Sequence, residues 1–255
     1  MEKKLSYYIT TAKEIKAVNY NKKIRVAVLS SFTINGIEEV FKVKCNEKEI
    51  ECSTYLGGYN QYSQNILDKQ SNLYRFAPDI TFLILDTRSL LGNLFHSPYS
   101  ISESQRREYV TSKLNELLSI IDVFSKNIKS KLIVANFSSP TYSPYGIFDT
   151  KTVYGFKEMI LDINGRLAKE ISKIESVYLY DFSNFVTKFG EINIFDFKQF
   201  FFGDIKIALD YIPYLVNDLF AYVIAVLGLT KRCIVLDLDN TLWGGIVGEI
   251  GRAHV

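Results

Sequence analysis

Two carboxylates one residue apart, Asp237 and Asp239, follow the four apolar residues Cys233-Ile234-Val235-Leu236, and Thr241 comes just after. In a loop past a strand end, acids so placed can divide a phosphoryl-transfer reaction between them. One can attack phosphorus as a nucleophile and form an aspartyl-phosphate. The other can protonate the leaving oxygen and later activate water. Their hard oxygens suit Mg²⁺, which would neutralise phosphate charge and polarise the transferring group. Thr241 offers a hydroxyl and a backbone N–H to a phosphate oxygen. The competing reading is a solvated acidic turn after a core strand. Trp243 reads equally as a core anchor or a wall of the site, and Cys233, inside the strand, as a core thiol.

These acids need a strand buried on both faces to present them. Four consecutive apolar residues fit one, as in a parallel sheet. Further strands of that kind precede it: Ile24–Leu29, Ile80–Leu85, Lys131–Ala135 and Val177–Tyr180, with a shorter one at Ile50–Ser53. Helical spacing is found near residues 3–18, 61–67, 102–126, 152–174 and 205–227, the last with Pro213 expected to kink or break it. Asn35-Gly36 opens another helix, carrying Ile37, Val40 and Phe41. Strands alternating with helices predict βαβ units and a mostly parallel sheet covered on both faces. Polar residues follow the strands at equivalent places: Ser30/Ser31, Gly57/Gly58, Asp86/Arg88, Asn136 and Asp181. All would lie at the carboxyl edge of the sheet, where open α/β sheets bind ligands. They are either a site or the polar rim of any such sheet.

Composition narrows the classes. With 30 basic and 28 acidic residues the net charge is +2, so there is no electrostatic case for a nucleic-acid partner. No run of about 18 apolar residues occurs, so no membrane span is expected. The first residues, MEKKLSYYITTAKEIK, lack the apolar core of a secretory signal. Cys45, Cys52 and Cys233 have no metal-ligand or CxxC spacing, which predicts reduced thiols and a cytoplasmic location.

The block Lys231–Glu249, KRCIVLDLDNTLWGGIVGE, resembles the haloacid dehalogenase superfamily, and within it the FkbH-like proteins of phosphatase subfamily IIIC. That resemblance implies Asp237 as nucleophile and Asp239 as general acid/base. It implies Mg²⁺ held by Asp237 and the backbone carbonyl of Asp239, and Thr241 against phosphate. It further implies a Mg²⁺-dependent phosphatase or glyceryl or phosphoryl transferase acting on a small phosphorylated metabolite, with an acyl carrier protein as acceptor in some members.

The upstream segments VAVLSSFTINGIEEV, YLGGYNQYSQ and LILDTRSLLGN are similar to the SGNH-hydrolase-like domain that such proteins carry at their amino terminus. The implied second site comprises Ser30, Ser31, Thr33, Gly58, Asn60, Asp86, Arg88 and Asn136. Active SGNH enzymes carry Gly-Asp-Ser after the first strand and Asp-x-x-His near the end. Here the first block is Ser30-Ser31-Phe32-Thr33, no histidine falls in Asp204–Asp218, and His96 lies mid-domain. A binding module for carrier or substrate is therefore expected over a serine esterase.

The resulting fold class is α/β, a three-layer α/β/α sandwich of SGNH or flavodoxin-like type over residues 1–229. The first strand of a truncated Rossmann-like phosphatase domain follows over 230–249, and the chain by itself is expected to be inactive as a phosphatase. The family pattern implies Asp after Gly248-Glu249, but the chain reads Ile250-Gly251-Arg252-Ala253-His254-Val255. IGRAHV is a translation of a common sequencing-adapter segment, so residues 250–255 are expected to be an assembly artefact and His254 is set aside.

Overall fold

The computed structural model describes residues 2–16 and 19–230. Asp237, Asp239, Thr241, Cys233 and Trp243, and the predicted start of a second domain, lie outside the described residues.

In chain order the elements are α1 Leu5–Glu14, β1 Lys22–Ser30, α2 Ile37–Asn46, β2 Ile50–Leu56, α3 Tyr62–Leu67, α4 Asn72–Phe76, β3 Ile80–Ile84 and α5 Thr87–Leu91. Then come α6 Glu103–Asn127, β4 Lys131–Ala135, α7 Phe156–Ile171, β5 Val177–Tyr180, α8 Phe182–Phe189, α9 Glu191–Ile194, α10 Phe197–Gly203 and α11 Ile212–Val226. All five strands are parallel, in the order β2-β1-β3-β4-β5. β3 is buried along its whole length, as its unbroken apolar run requires of a central strand.

Strand alternation splits the core in two. Ile24, Val26 and Val28 face a core built with α1, α2, α8 and α11. Ala27 and Leu29 face a second core built with α3 to α7. These are the predicted three layers. Local signals set the helix starts. Gly36 takes φ +83° ahead of α2, and a Cβ there would fall 2.7 Å from the Leu5 methyls, so α1 packs where only glycine fits. Ser102 and Gln105 close a capping box at the start of α6.

One predicted element is corrected. Residues 205–227 are not a single helix. Asp204 caps α10 in the left-handed region at φ +51°, Ile205 bridges Thr33 and Ile207 bridges Phe195, and α11 begins only at Ile212. Pro213 sits in its first turn, where the missing N–H costs nothing, so the proline starts the helix rather than kinking it. Among the described residues, Leu209–Val226 is the one span long and apolar enough by composition to cross a membrane, with mean hydropathy 1.3. Its Ile212, Leu215, Val216, Leu219 and Val223 are buried in the first core, and this packing accounts for the apolar stripe.

Candidate functional site

From β1 the chain crosses outward to β2, then returns to place β3 on the other flank of β1. A doubly wound sheet with this order opens a crevice at its β1/β3 switch point, beyond the carboxyl ends. Ser31 and Asp86 stand there. The Ser31 N–H donates to the Ile84 carbonyl at 3.3 Å, and the Asp86 N–H donates to Ser31 Oγ at 2.8 Å. Ser30 Oγ donates to the carbonyl of Phe32. Both hydroxyls are thus engaged by the backbone of their own crevice, and among the described residues no side-chain base is bonded to either.

Asp86 is 4% exposed, and its carboxylate does two things. It accepts the Arg88 N–H at 3.1 Å, capping α5, and it forms a buried ion pair with the Lys206 ammonium. Lys206 also lies 4.3 Å from the centre of the Phe195 ring. Arg88 pairs with Asp204 and lies 4.2 Å over Phe200. Thr33 ties this segment to the β1 loop, donating its N–H to the Asp204 carbonyl at 2.9 Å. The Tyr59 phenol is pushed up by burial and then by Asp204, which brings the β2 loop against the same carboxylate.

The predicted residues therefore separate. Ser30, Ser31, Thr33, Asp86 and Arg88 gather at the switch point. Gly58 and Asn60 shape the β2 loop, Asn60 with φ +53°. Asn136 instead closes the β4 and β5 ends: its Nδ2 donates to Asp181 at 2.8 Å and its oxygen accepts the Ser183 N–H at 2.8 Å. Lys206, Asp204 and Glu191 were not singled out in the sequence; Lys206 lay inside the run 205–227 read as helix, and Asp204 just before it. Gly203 before that segment, and Pro213 as a helix start, were the signals that a loop lay between.

A cavity of about 240 Å³ opens over the ion pairs. Asp86, Arg88, Lys206 and Glu191 supply its charge, and Phe195, Phe197, Phe200 and Phe201 most of its wall. Glu191 accepts the Thr141 N–H at 2.7 Å. His96 stands exposed at the edge with its ring edge-on to Phe95 at 5.2 Å, and it makes no bond to Ser30 or Ser31. Both cations carry carboxylate partners and Glu191 adds a further negative charge. The cavity is walled mainly by aromatic rings and its charge balance is negative, so it suits an uncharged group more than a phosphate.

Elsewhere, burial raises the Asp218 carboxyl above its ordinary range, with Lys188 and the Tyr180 hydroxyl offsetting it only in part. The folded protein then holds that proton more tightly than the unfolded chain, so stability falls as pH rises through the raised value. Asp218→Asn is expected to raise the melting temperature at neutral pH and to leave it unchanged in acid, where both states are protonated. Thermal melts of the two proteins across pH check this, and a gain that persists in acid would contradict it.

Residues 25–224 match the family described as FkbH, N-terminal domain. Among solved structures, the N-terminal part of the protein BF1531 from Bacteroides fragilis, which contains a phosphatase domain and was crystallised with Mg, aligns with a TM-score of 0.78 at 22% identity. That alignment covers 98% of this chain and 64% of that one, so the chain spans less than two thirds of its length. The acetyl xylan esterase AlAXEase aligns with a TM-score of 0.50 at 10% identity, over 78% of this chain and 100% of that one. A Parabacteroides merdae ATCC 43184 protein described as a GDSL-like lipase aligns with a TM-score of 0.50 at 11% identity, over 84% and 100%. At such identities these structures show the fold, which is the SGNH-hydrolase-like α/β fold the sequence implied. No curated protein matches the chain.

Proposed function

The chain belongs to the family of FkbH amino-terminal domains, and from that premise we propose that it is the ligand-presenting module of an FkbH-like protein rather than a working serine hydrolase. The observation that carries this is the Asp86–Lys206 pair at the switch point. A serine relay needs an imidazole, oriented by an acid, to draw off the hydroxyl proton. Here the late segment supplies Lys206 to neutralise Asp86, and Ser30 and Ser31 bond to backbone. The cavity itself persists, so the fold keeps a place to hold a group without the means to cleave it.

The charge balance supports an uncharged acyl or aromatic group as that ligand, which fits delivery of an acylated carrier better than capture of the phosphorylated metabolite. Chemistry on the metabolite belongs to the phosphatase part of the parent. There Asp237 would be the nucleophile, Asp239 the acid/base and Thr241 the phosphate contact. The carboxylate of Asp237 and the carbonyl of Asp239 are hard oxygen donors that suit Mg²⁺, and the bound cation would screen the phosphate charge. These roles rest on the resemblance of Lys231–Glu249 to the haloacid dehalogenase superfamily.

A fluorophosphonate probe tests the reading. Neither Ser30 nor Ser31 is expected to be labelled in the native chain, while an acylated pantetheine should bind with an affinity that Phe200→Ala weakens about tenfold, the scale of one lost aromatic contact. Covalent labelling of either serine would sink the binding-only reading.

A further inference from the structure

Large apolar side chains stand in water around the mouth of the carboxyl-edge cavity. Ile147 and Phe148 project from the 3₁₀ turn Gly146–Lys151, Ile192 from α9, and Phe201 and Phe202 from α10; each is between 64% and 86% exposed. Two prongs result, one on the loop after β4 and one on α9 and α10. They are tied together at the cavity, which Tyr142 and Phe201 both line, and the Thr141 N–H donates to Glu191 beside Ile192 at 2.7 Å. Single exposed apolar residues need no explanation, but a cluster of this kind marks an interaction surface.

Charge sits on the same prongs. Phe148 and Lys151 are three residues apart in a 3₁₀ turn, where such side chains eclipse. Lys198 precedes Phe201 and Phe202 by three and four residues in α10, so all three share one side of that helix. Lys157 reaches the Thr141 carbonyl at 3.4 Å, next to Tyr142. Among the described residues none of these three lysines is in an ion pair. The carboxylates of the same segments turn back onto backbone N–H groups instead. Asp149 accepts from Phe156 at 2.9 Å, Glu158 from Gly155 at 3.1 Å, Glu191 from Thr141 and Asp196 from Gln199 at 3.0 Å.

We propose that this edge of the protein docks on an anionic lipid bilayer. Ile147, Phe148, Ile192, Phe201 and Phe202 enter the headgroup region, as the apolar face of an interfacial element does. Tyr142 and Tyr145, each about half exposed, sit at the level where amphipathic rings gather. Lys151, Lys157 and Lys198 meet the acidic headgroups. Side chains so exposed form protrusions, whereas a protein interface seats its aromatic anchors in pockets. A second copy of the chain would set lysine against lysine across a two-fold axis. The chain's own continuation sets out from the far side of the sheet. α11 runs 15 residues, about 22 Å, from Ile212 to Val226, which lies among Asp79, Ser130 and Ser176 where the strands begin. Docking does not depend on what the cavity binds.

The test sediments the full chain with vesicles of phosphatidylcholine alone and of phosphatidylcholine mixed with phosphatidylserine, circular dichroism confirming the fold of each variant. Binding is expected to both, and more tightly to the mixture. Phe148→Ser and Phe202→Ser, neither of which lines the cavity, should each weaken binding to both vesicles about tenfold. They should leave the affinity for acylated pantetheine unchanged, so a failure here and a failure of the cavity reading are told apart. Lys151→Gln/Lys198→Gln should weaken binding severalfold to the mixed vesicles only. Absence of sedimentation with either vesicle would overturn the proposal. So would binding that survives both serine substitutions, which is charge attraction without insertion. Self-association in place of vesicle binding, lost in Phe202→Ser, would assign the face to a second copy and overturn it as well.

Discussion

Replacing Lys206 with methionine is expected to lower the unfolding free energy by about 3–5 kcal/mol, because it leaves the Asp86 carboxylate buried without its cation. In a protein of this size that is a fall in melting temperature of roughly 6–20 °C. Asp86 is 4% exposed and also caps α5, so it cannot turn to water without unwinding that helix. Arg88 offsets the charge only weakly, since its Nε stands 3.9 Å from Asp86 and its terminal nitrogen is committed to Asp204. Adding Asp86→Leu to Lys206→Met should recover most of the loss, since a well-packed apolar pair removes the stranded charge. Thermal and urea unfolding of the two single variants and the double variant measure this. A single-variant loss below about 1 kcal/mol would show the pair to be solvated, a value ordinary for surface pairs. The result bears on function, because a pair this costly to break serves as a fixed floor for the cavity rather than as a mobile acid and base.

Arg106→Ala is expected to cost about 3–5 kcal/mol as well, by a different route. Arg106 is 5% exposed, and no carboxylate lies within salt-bridge distance of it among the described residues. Its guanidinium donates to the carbonyls of Ile101 at 2.9 Å, Val153 at 2.8 Å and Tyr154 at 3.1 Å, and lies 5.2 Å over the Tyr99 ring. Truncation would leave the buried Tyr154 carbonyl, and the half-buried carbonyls of Ile101 and Val153, short of a donor. Arg106→Lys keeps the charge but not the planar fork, so it should recover less than half of the loss. The carbonyls of Val153 and Tyr154 anchor the end of the long loop that follows β4, and Ser138, Pro140 and Tyr142 of that loop line the cavity. Arg106→Ala should therefore also weaken acyl-pantetheine binding at temperatures where the protein remains folded. Unchanged affinity would uncouple the loop from the cavity.

The five strands and the main helices were legible because their signals are local. A six-residue, β-branched-rich run such as Ile80–Leu85 fits a central strand, and Asn35-Gly36 marks the turn that opens α2. The segment after Gly203 was not legible, because Ile205 and Ile207 take their conformation from bridges to Thr33, far away in the chain, and to Phe195, across α10. Short helices such as α5 and α8 were missed for a related reason: each is opened by a capping aspartate, Asp86 or Asp181, that reads in sequence only as a polar residue after a strand.

By itself the sequence determined the α/β class, the parallel sheet, the family resemblance and the spacing of Asp237 and Asp239, since each depends on residues near one another in the chain. Tertiary structure alone decided which polar residues meet. Lys206 reaches Asp86 across 120 positions because the crossover order puts the loop after α10 above the β1/β3 switch point. Periodicity reports which face of an element is buried, but the partner across a crevice is set by strand order, which no local pattern encodes.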